Sequence, residues 1–219
     1  MKRMFPVLTA LMLLCTLTAC GGTESQSTPQ SSQNVSEENL PEGGTSSTPD
    51  ESEPAADEET RVLVAYFSAT GNTEHIAQHI QTALDADLYE IVPEEPYTDD
   101  DLNYSDGDCR ANREQNDPDA RPAIAGTLEH PEDYDVVFLG YPIWWGQAPK
   151  IIHTFLESCD FDGVTIVPFC TFGSSGIGSS AEDLRALAPG ANWLPGQRFD
   201  GGAAQEEVAA WVEELELPQ

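Results

Sequence analysis

Six consecutive residues, Ser68-Ala69-Thr70-Gly71-Asn72-Thr73, alternate hydroxyl-bearing side chains with residues that let the backbone turn tightly, directly before an apolar pattern of helical spacing. A glycine at the turn reaches positive φ and lets main chain approach a ligand closely. The start of the following helix aims its unpaired N–H groups at the same point. The segment contains no lysine or arginine, so a nest of this kind suits a phosphate monoester dianion held by N–H and O–H groups alone. It is not a P-loop, because the Gly-Lys-Ser/Thr ending is missing, and it is not the GxGxxG dinucleotide turn. Ser, Thr and Asn also cap helices in the ordinary way, so the six residues alone read equally as a phosphate nest or as a helix cap. Two further segments have the composition of ligand loops. One is Gly140-Tyr141-Pro142-Ile143-Trp144-Trp145-Gly146-Gln147-Ala148-Pro149, with two adjacent indoles beside Gly and Pro; the other is Thr171-Phe172-Gly173-Ser174-Ser175-Gly176-Ile177-Gly178, three glycines interleaved with hydroxyls.

The Ser68–Thr73 run resembles the T/S-x-T-G-x-T phosphate loop of flavodoxins, and it stands after the first apolar strand, as it does in that family. The resemblance covers residues 61–219 and is closest to flavodoxin-like lipoproteins and stand-alone domains that carry a Tyr-Pro-Ile-Trp-Trp-Gly run, here Tyr141–Gly146. It implies a flavodoxin-like fold and one FMN. On that reading Ser68, Ala69, Thr70, Gly71, Asn72 and Thr73 hold the phosphate. The backbone of Pro142, Ile143, Trp144, Trp145 and Gly146 borders the isoalloxazine. Thr171, Phe172, Gly173, Ser174, Ser175 and Gly176 wrap its other edge and offer N–H groups to the O2 and N3 side. An indole beside the ring gives a large flat contact and lowers the local polarity, which disfavours an anionic reduced ring. One of the two tryptophans is expected to face the ligand and the other to pack beneath the loop.

The elements that must position these loops read as alternating strands and helices. Val62–Phe67 is a continuous apolar run of strand length, as suits a strand buried on both faces. Thr73–Leu84 follows with Ile76, Ala77, Ile80, Ala83 and Leu84 at helical spacing. Leu88–Val92 is a second strand, stopped by Pro93, Tyr134–Gly140 a third and Val164–Cys170 a fourth. Pro149–Ser158 and Ile177–Leu187 read as helices, followed by a weak strand at Trp193–Phe199 and a helix over Ala203–Leu215. The pattern predicts an α/β domain with a doubly wound, five-stranded parallel sheet. Ligands in such sheets sit outside the carboxyl ends of the strands at the switch point, which is where all three loops fall. Residues 93–133, rich in Asp, Glu, Pro and Asn, form a long insertion between the second and third strands. Structureless loops of that length are uncommon in compact domains and are often functional.

Residues 1–60 differ in kind from the rest. Lys2 and Arg3 precede a short apolar core, Phe5–Ala19, too short to span a bilayer comfortably and read as a secretory signal core. It ends in Leu17-Thr18-Ala19-Cys20-Gly21, which resembles a bacterial lipobox. The expectation is a signal peptide over 1–19 and a lipidated Cys20 that anchors the protein outside the cell membrane without spanning it. Residues 20–60 are rich in Ser, Thr, Glu, Pro and Gly, with almost no large apolar side chain and no basic residue; such a segment buries too little apolar surface to order and reads as a tether. At about 5–6 Å × √n it reaches on the order of 35 Å. Thirty-nine acids against nine bases give a net charge of −30, which excludes a nucleic-acid-binding face and direct docking on anionic lipid. Contact with the membrane is therefore expected through Cys20 alone.

The leading expectation is electron transfer between redox partners, whether a protein or a small acceptor. A first rival is an FMN-dependent NAD(P)H:quinone-type oxidoreductase, for which Arg110, Arg113 and Arg121 of the insertion can supply a phosphate pocket. On the family pattern, the segment ending Arg121-Pro122 covers the flavin edge. A second rival, of another class, is a non-redox envelope-binding lipoprotein. Ser174 and Ser175 do not match G-x-S-x-G. His75 and His79, four apart on a helix, can bind a metal, but the glutamate of an HExxH site is missing and a solvated helix face is the reading preferred. Cys159 and Cys170, at opposite ends of the fourth strand, are expected not to pair; Cys109 is left to pair with Cys170 or stay free.

Overall fold

The computed structural model describes residues 60–172 and 176–218. The signal segment, Cys20, the tether up to residue 59, and Gly173, Ser174 and Ser175 lie outside the described residues. The elements in chain order are β1 (Val62–Tyr66), α1 (Asn72–Leu84), β2 (Asp87–Glu90), α2 (Arg110–Asn116), β3 (Val136–Pro142), α3 (Lys150–Ser158), β4 (Thr165–Thr171), α4 (Ser180–Arg185), β5 (Asn192–Trp193), β6 (Gln197–Phe199) and α5 (Gln205–Glu213). All strand pairs are parallel and the order is β2-β1-β3-β4-β5, with β6 also beside β4. This is a doubly wound α/β fold with its switch point between β1 and β3.

The apolar strand runs explain the layering. Leu63, Ala65, Val137, Leu139, Ile166 and Cys170 face one core with Ile151, Ile152 and Phe155 of α3 and Leu184 of α4. Val64, Tyr66, Val136, Phe138, Val167 and Phe169 face the other with Ile76, Ala77 and Ile80 of α1 and Val208 and Val212 of α5. Alternate residues of each central strand therefore serve opposite cores. Gly140 is required at its place in β3, because a Cβ there would lie 2.2 Å from the Phe169 ring.

Two expectations need correction, and the insertion gains structure of its own. The single weak strand expected at 193–199 is two pieces, β5 and β6, occupying one lane beside β4. Pro195 lies between them and lacks the ladder N–H, and across the break three residue steps along β4 are matched by four along the edge. The third strand begins at Val136, not Tyr134, and runs on to Pro142, so the first residues of the Tyr-Pro-Ile-Trp-Trp run belong to the sheet. The insertion is not structureless. It holds α2, a 3-10 turn at Pro131–Asp133, and an antiparallel bridge between Pro93 and Ile124 that closes its base. Its helix is short and is held by one intrahelical pair and by contacts to Tyr97: Arg110 Nε donates to Glu114 Oε1 at 2.7 Å, Tyr97 Oη donates to Glu114 Oε2 at 2.6 Å, and the Arg110 guanidinium lies over the Tyr97 ring.

Candidate functional site

The carboxyl ends of β1, β3 and β4 open into a cavity of about 400 Å³. One end of it is the turn from β1 into α1. Gly71 occupies the N-cap position at φ 83° in the left-handed region, and α1 receives no side-chain cap. Thr70, Asn72 and Thr73 of this segment have other partners. Asn72 Nδ2 donates to Thr70 Oγ1 at 3.2 Å, and Thr73 Oγ1 meets Thr171 Oγ1 at 2.8 Å in the interior. Ser68 Oγ is buried and has no partner among the described residues. A helix with serine, threonine and asparagine at its start, none of them capping it, keeps its N–H donors for something else. This geometry separates the two readings that the sequence left level, and favours the nest. An orphaned buried hydroxyl beside uncapped N–H groups fits a phosphate monoester, which supplies the missing acceptors.

The other end is apolar. Pro142, Ile143 and Trp144 line it with Thr171 and Phe172, while Ala69, Thr70 and Asn72 line the first end. After Ile143 the chain makes a two-residue turn: Trp144 and Gln147 exchange backbone hydrogen bonds at 2.9 and 3.0 Å, with Trp145 at φ 46° and Gly146 at φ 84° between them. Positive φ is ordinary for glycine and a strained outlier for tryptophan. Trp144 is buried, edge-on to Phe67 and Tyr97, and also lines the cavity; Trp145 is half-buried and stacked on Tyr104. Trp144 is thus both packed in the core and part of the cavity lining, whereas Trp145 does not line the cavity. The third loop is fixed at Phe172, whose carbonyl accepts from Arg198 Nη1 at 2.8 Å.

A sequence model of the flavodoxin family matches residues 61–215. The chain belongs to the flavodoxin family. Among solved structures, this flavodoxin-family chain is similar to a protein classed as a flavoprotein from Bacteroides eggerthii, with 43% identity over 73% of this chain and 100% of the other, at a TM-score of 0.69. A second, from Bacteroides uniformis, shares 42% identity over 71% and 99% of the two chains at a TM-score of 0.68. A Lactobacillus acidophilus flavoprotein, solved in complex with FMN, shares the fold at 23% identity, 70% and 99% coverage and a TM-score of 0.54. No curated protein matches the chain significantly.

Of the residues picked from the sequence of this flavodoxin-family domain, Ala69, Thr70, Asn72, Pro142, Ile143, Trp144, Thr171 and Phe172 line the cavity. Ser68, Gly71 and Thr73 shape its first end without lining it, and Trp145 and Gly146 form the turn behind it. Gly176 is exposed and does not line it, and Gly173, Ser174 and Ser175 lie outside the described residues. Three lining residues were missed: Leu102, Tyr104 and Gly201. Gly201 carried no signal beyond its type, although its missing Cβ leaves room for the Asn72 side chain. Tyr104 was the one aromatic residue between Pro122 and the start of α2's approach at Thr98, within a polar stretch, and that isolation was the available clue.

The remaining candidates fall away from the cavity. His75 and His79 are half-buried and bonded to each other, Nε2 to Nε2 at 3.1 Å, and no group of three or more metal-ligating side chains occurs among the described residues. Cys109, Cys159 and Cys170 are all free thiols, so Cys159 and Cys170 do not pair and the open Cys109–Cys170 alternative falls to two free thiols. Burial pushes the Cys170 thiol up to about 12, so it stays protonated and inert at neutral pH. The three arginines of the insertion are engaged within the protein: Arg110 with Glu114 and the Glu95 carbonyl, Arg113 with the Asp108 carbonyl, and Arg121 with both Glu157 oxygens at 2.7 Å.

Proposed function

We propose that this chain binds one FMN and carries electrons between redox partners, held by a lipid on Cys20 at the outer face of the cytoplasmic membrane. The observation that carries the reading is the cavity's polarity: an uncapped helix start with Ala69, Thr70 and Asn72 at one end, directly after Ser68 and its orphaned hydroxyl in the chain, and Ile143, Trp144 and Phe172 at the other. Ser68, Thr70, Asn72 and the first N–H groups of α1 would hold the phosphate, and the Pro142–Gly146 and Thr171–Gly176 loops would border the ring. When bound, the flavin supplies reversible one- and two-electron chemistry, and the protein supplies position, electrostatics and exclusion of water. The carboxylates of this protein, 39 in the full chain, oppose any added negative charge in the cavity and favour a partner that presents basic groups. A nicotinamide-phosphate pocket in the insertion gains no support, since its arginines already have partners.

The test is reconstitution of the full chain. Titration with FMN should give a yellow one-to-one complex with quenched flavin fluorescence. Affinity no better than millimolar ends the reading. A loaded protein that exchanges electrons with a reductant and an acceptor, yet does not itself oxidise NADH or NADPH with quinones, identifies a carrier; steady turnover of those substrates identifies a reductase. For the anchor, Cys20→Ala should move the protein from the membrane fraction to the soluble fraction, and unchanged fractionation would remove the lipid from the proposal.

A further inference from the structure

We infer that Tyr104 provides the aromatic face against which the flavin ring packs, which makes the insertion between β2 and β3 a fourth ligand-binding segment beside the three loops. The inference rests on the FMN reading above and adds to it a residue that the three loops do not contain. Tyr104 lines the same cavity as Thr70, Asn72 and Ile143. One face of its ring is covered by the Trp145 indole, with centroids 4.3 Å apart and planes at 26°. Even so, the side chain is 53% exposed, more than any other large apolar residue described; the next, Val92 and Leu88, lie in or just after the edge strand β2. Among the described residues no second aromatic ring stacks on Tyr104, and its exposed surface borders the cavity.

The ring is held in place from several directions. Its hydroxyl reaches the Ile143 carbonyl at 3.5 Å, from the insertion to the second loop. On either side of it the chain is fixed, at Leu102 against the core and at Cys109, which is buried. Short-range bonds close the turn between them: Ser105 N–H to Asn103 Oδ1 at 3.0 Å and Asp106 N–H to the Asn103 carbonyl at 2.9 Å. Trp145 is held in a left-handed conformation that tryptophan rarely adopts, and the indole so placed backs Tyr104. A phosphate-only ligand has no use for such a wall. A planar ring stacks on it.

The experiment is flavin titration of the full chain as wild type, Tyr104→Ala, Tyr104→Leu and Tyr104→Phe, with FMN and with riboflavin, reading affinity together with the fluorescence yield and visible circular dichroism of the bound flavin. Loss of the aromatic face should weaken FMN and riboflavin by the same factor, about tenfold, and leave the bound flavin brighter. Tyr104→Phe should restore affinity and quenching, because the hydroxyl contact is long. The apoprotein should melt at the wild-type temperature in each case, since the ring is exposed; if the alanine variant unfolds, the leucine variant gives the same readout. Wild-type binding with equal affinity and equal flavin spectra in Tyr104→Ala and Tyr104→Leu overturns this inference alone, and so does a phenylalanine variant as impaired as the alanine one. A wild-type chain that binds neither flavin overturns both this inference and the FMN reading.

Discussion

The two ends of the cavity are built by opposite means. The phosphate end is six consecutive residues, with a left-handed Gly71, an Asn72–Thr70 bond two residues long and one long-range tie, Thr73 to Thr171. The ring end is assembled from segments as far apart as Leu102 and Phe172, and its central turn is held from a distance. Gln115 of α2 donates through Nε2 to the carbonyls of Trp144 and Ala148 at 3.1 and 3.2 Å, across sequence separations of 29 and 33 residues. Its own Oε1 is buried without a partner. A buried amide that leaves an acceptor unmet is a poor way to gain stability, and a direct way to fix the loop beyond β3. The difference separates two kinds of information: a dianion needs N–H and O–H groups that a short run can present, whereas a flat ring needs walls that only tertiary structure can bring together.

The largest expected effect tests whether the phosphate end acts as one. Riboflavin, which lacks the phosphate, should bind the full chain roughly 100-fold more weakly than FMN, as expected for losing two or more hydrogen bonds to a charged group. Isothermal titration with both ligands decides it; equal affinities would place the binding energy at the ring end and reverse the comparison. Next comes Ser68→Ala. Its hydroxyl has no partner in the protein, so removal should leave the melting temperature of the apoprotein unchanged or slightly raised. Affinity for FMN should fall about tenfold, the worth of one hydrogen bond to a charged group, while affinity for riboflavin stays constant. A loss of stability without a loss of FMN would show that the hydroxyl serves the fold.

The same contrast explains what could be read from the sequence. The parallel sheet was legible because Val62–Phe67 and the third strand's Val136–Gly140 are apolar without interruption and Val164–Cys170 is broken only by Thr165, a pattern that suits strands covered on both faces. The phosphate loop was legible because its chemistry is local. The helix-cap alternative was separable only in three dimensions, where Thr73 turns to Thr171 and not to the α1 start. The split of the last strand depends on Pro195 falling at an edge lane, which strand propensity alone does not reveal. Gln115 was illegible, and Tyr104 marked only by its isolation, for a plainer reason. The insertion has the composition of a solvated loop, and its order comes from pairs such as Tyr97–Glu114 and from the Pro93–Ile124 bridge, none of which leaves a periodic signal.

Gln115→Met keeps the volume and removes both clamps on the turn. Its effect should be smaller than that of Ser68→Ala on FMN affinity, about three- to fivefold, near the worth of one ordinary hydrogen bond. The loss should be the same for FMN and riboflavin, and it should come with an altered visible circular dichroism of the bound flavin. A loss confined to FMN would show that α2 acts on the phosphate end and that the two ends are not separately built.

The smallest effect is a control on α3, the helix that follows the ring loop. Burial, with Lys150 and Arg121 nearby, holds the His153 imidazole down at about 4, below its ordinary value of 6.5, against the weaker opposing pull of Glu157 and Asp183. Between those two values the unfolded chain binds a proton that the folded chain refuses. This group therefore leaves stability intact above pH 6.5 and lowers it progressively as the pH falls to about 4, below which both states are protonated and no further loss occurs. His153 is only half-buried, so with solvent screening the loss is about 1 kcal/mol. Denaturant melts of the wild type and His153→Gln at several pH values isolate it: the variant should fall less steeply across this window, leaving the carboxylates to account for the slope common to both. FMN affinity at pH 7 should be the same in the two proteins, because His153 does not line the cavity. A change in affinity there would mean that α3, and with it the anchorage of the Trp144–Ala148 turn, transmits charge to the ring end, and the division between a local end and an assembled end would have to extend one helix further.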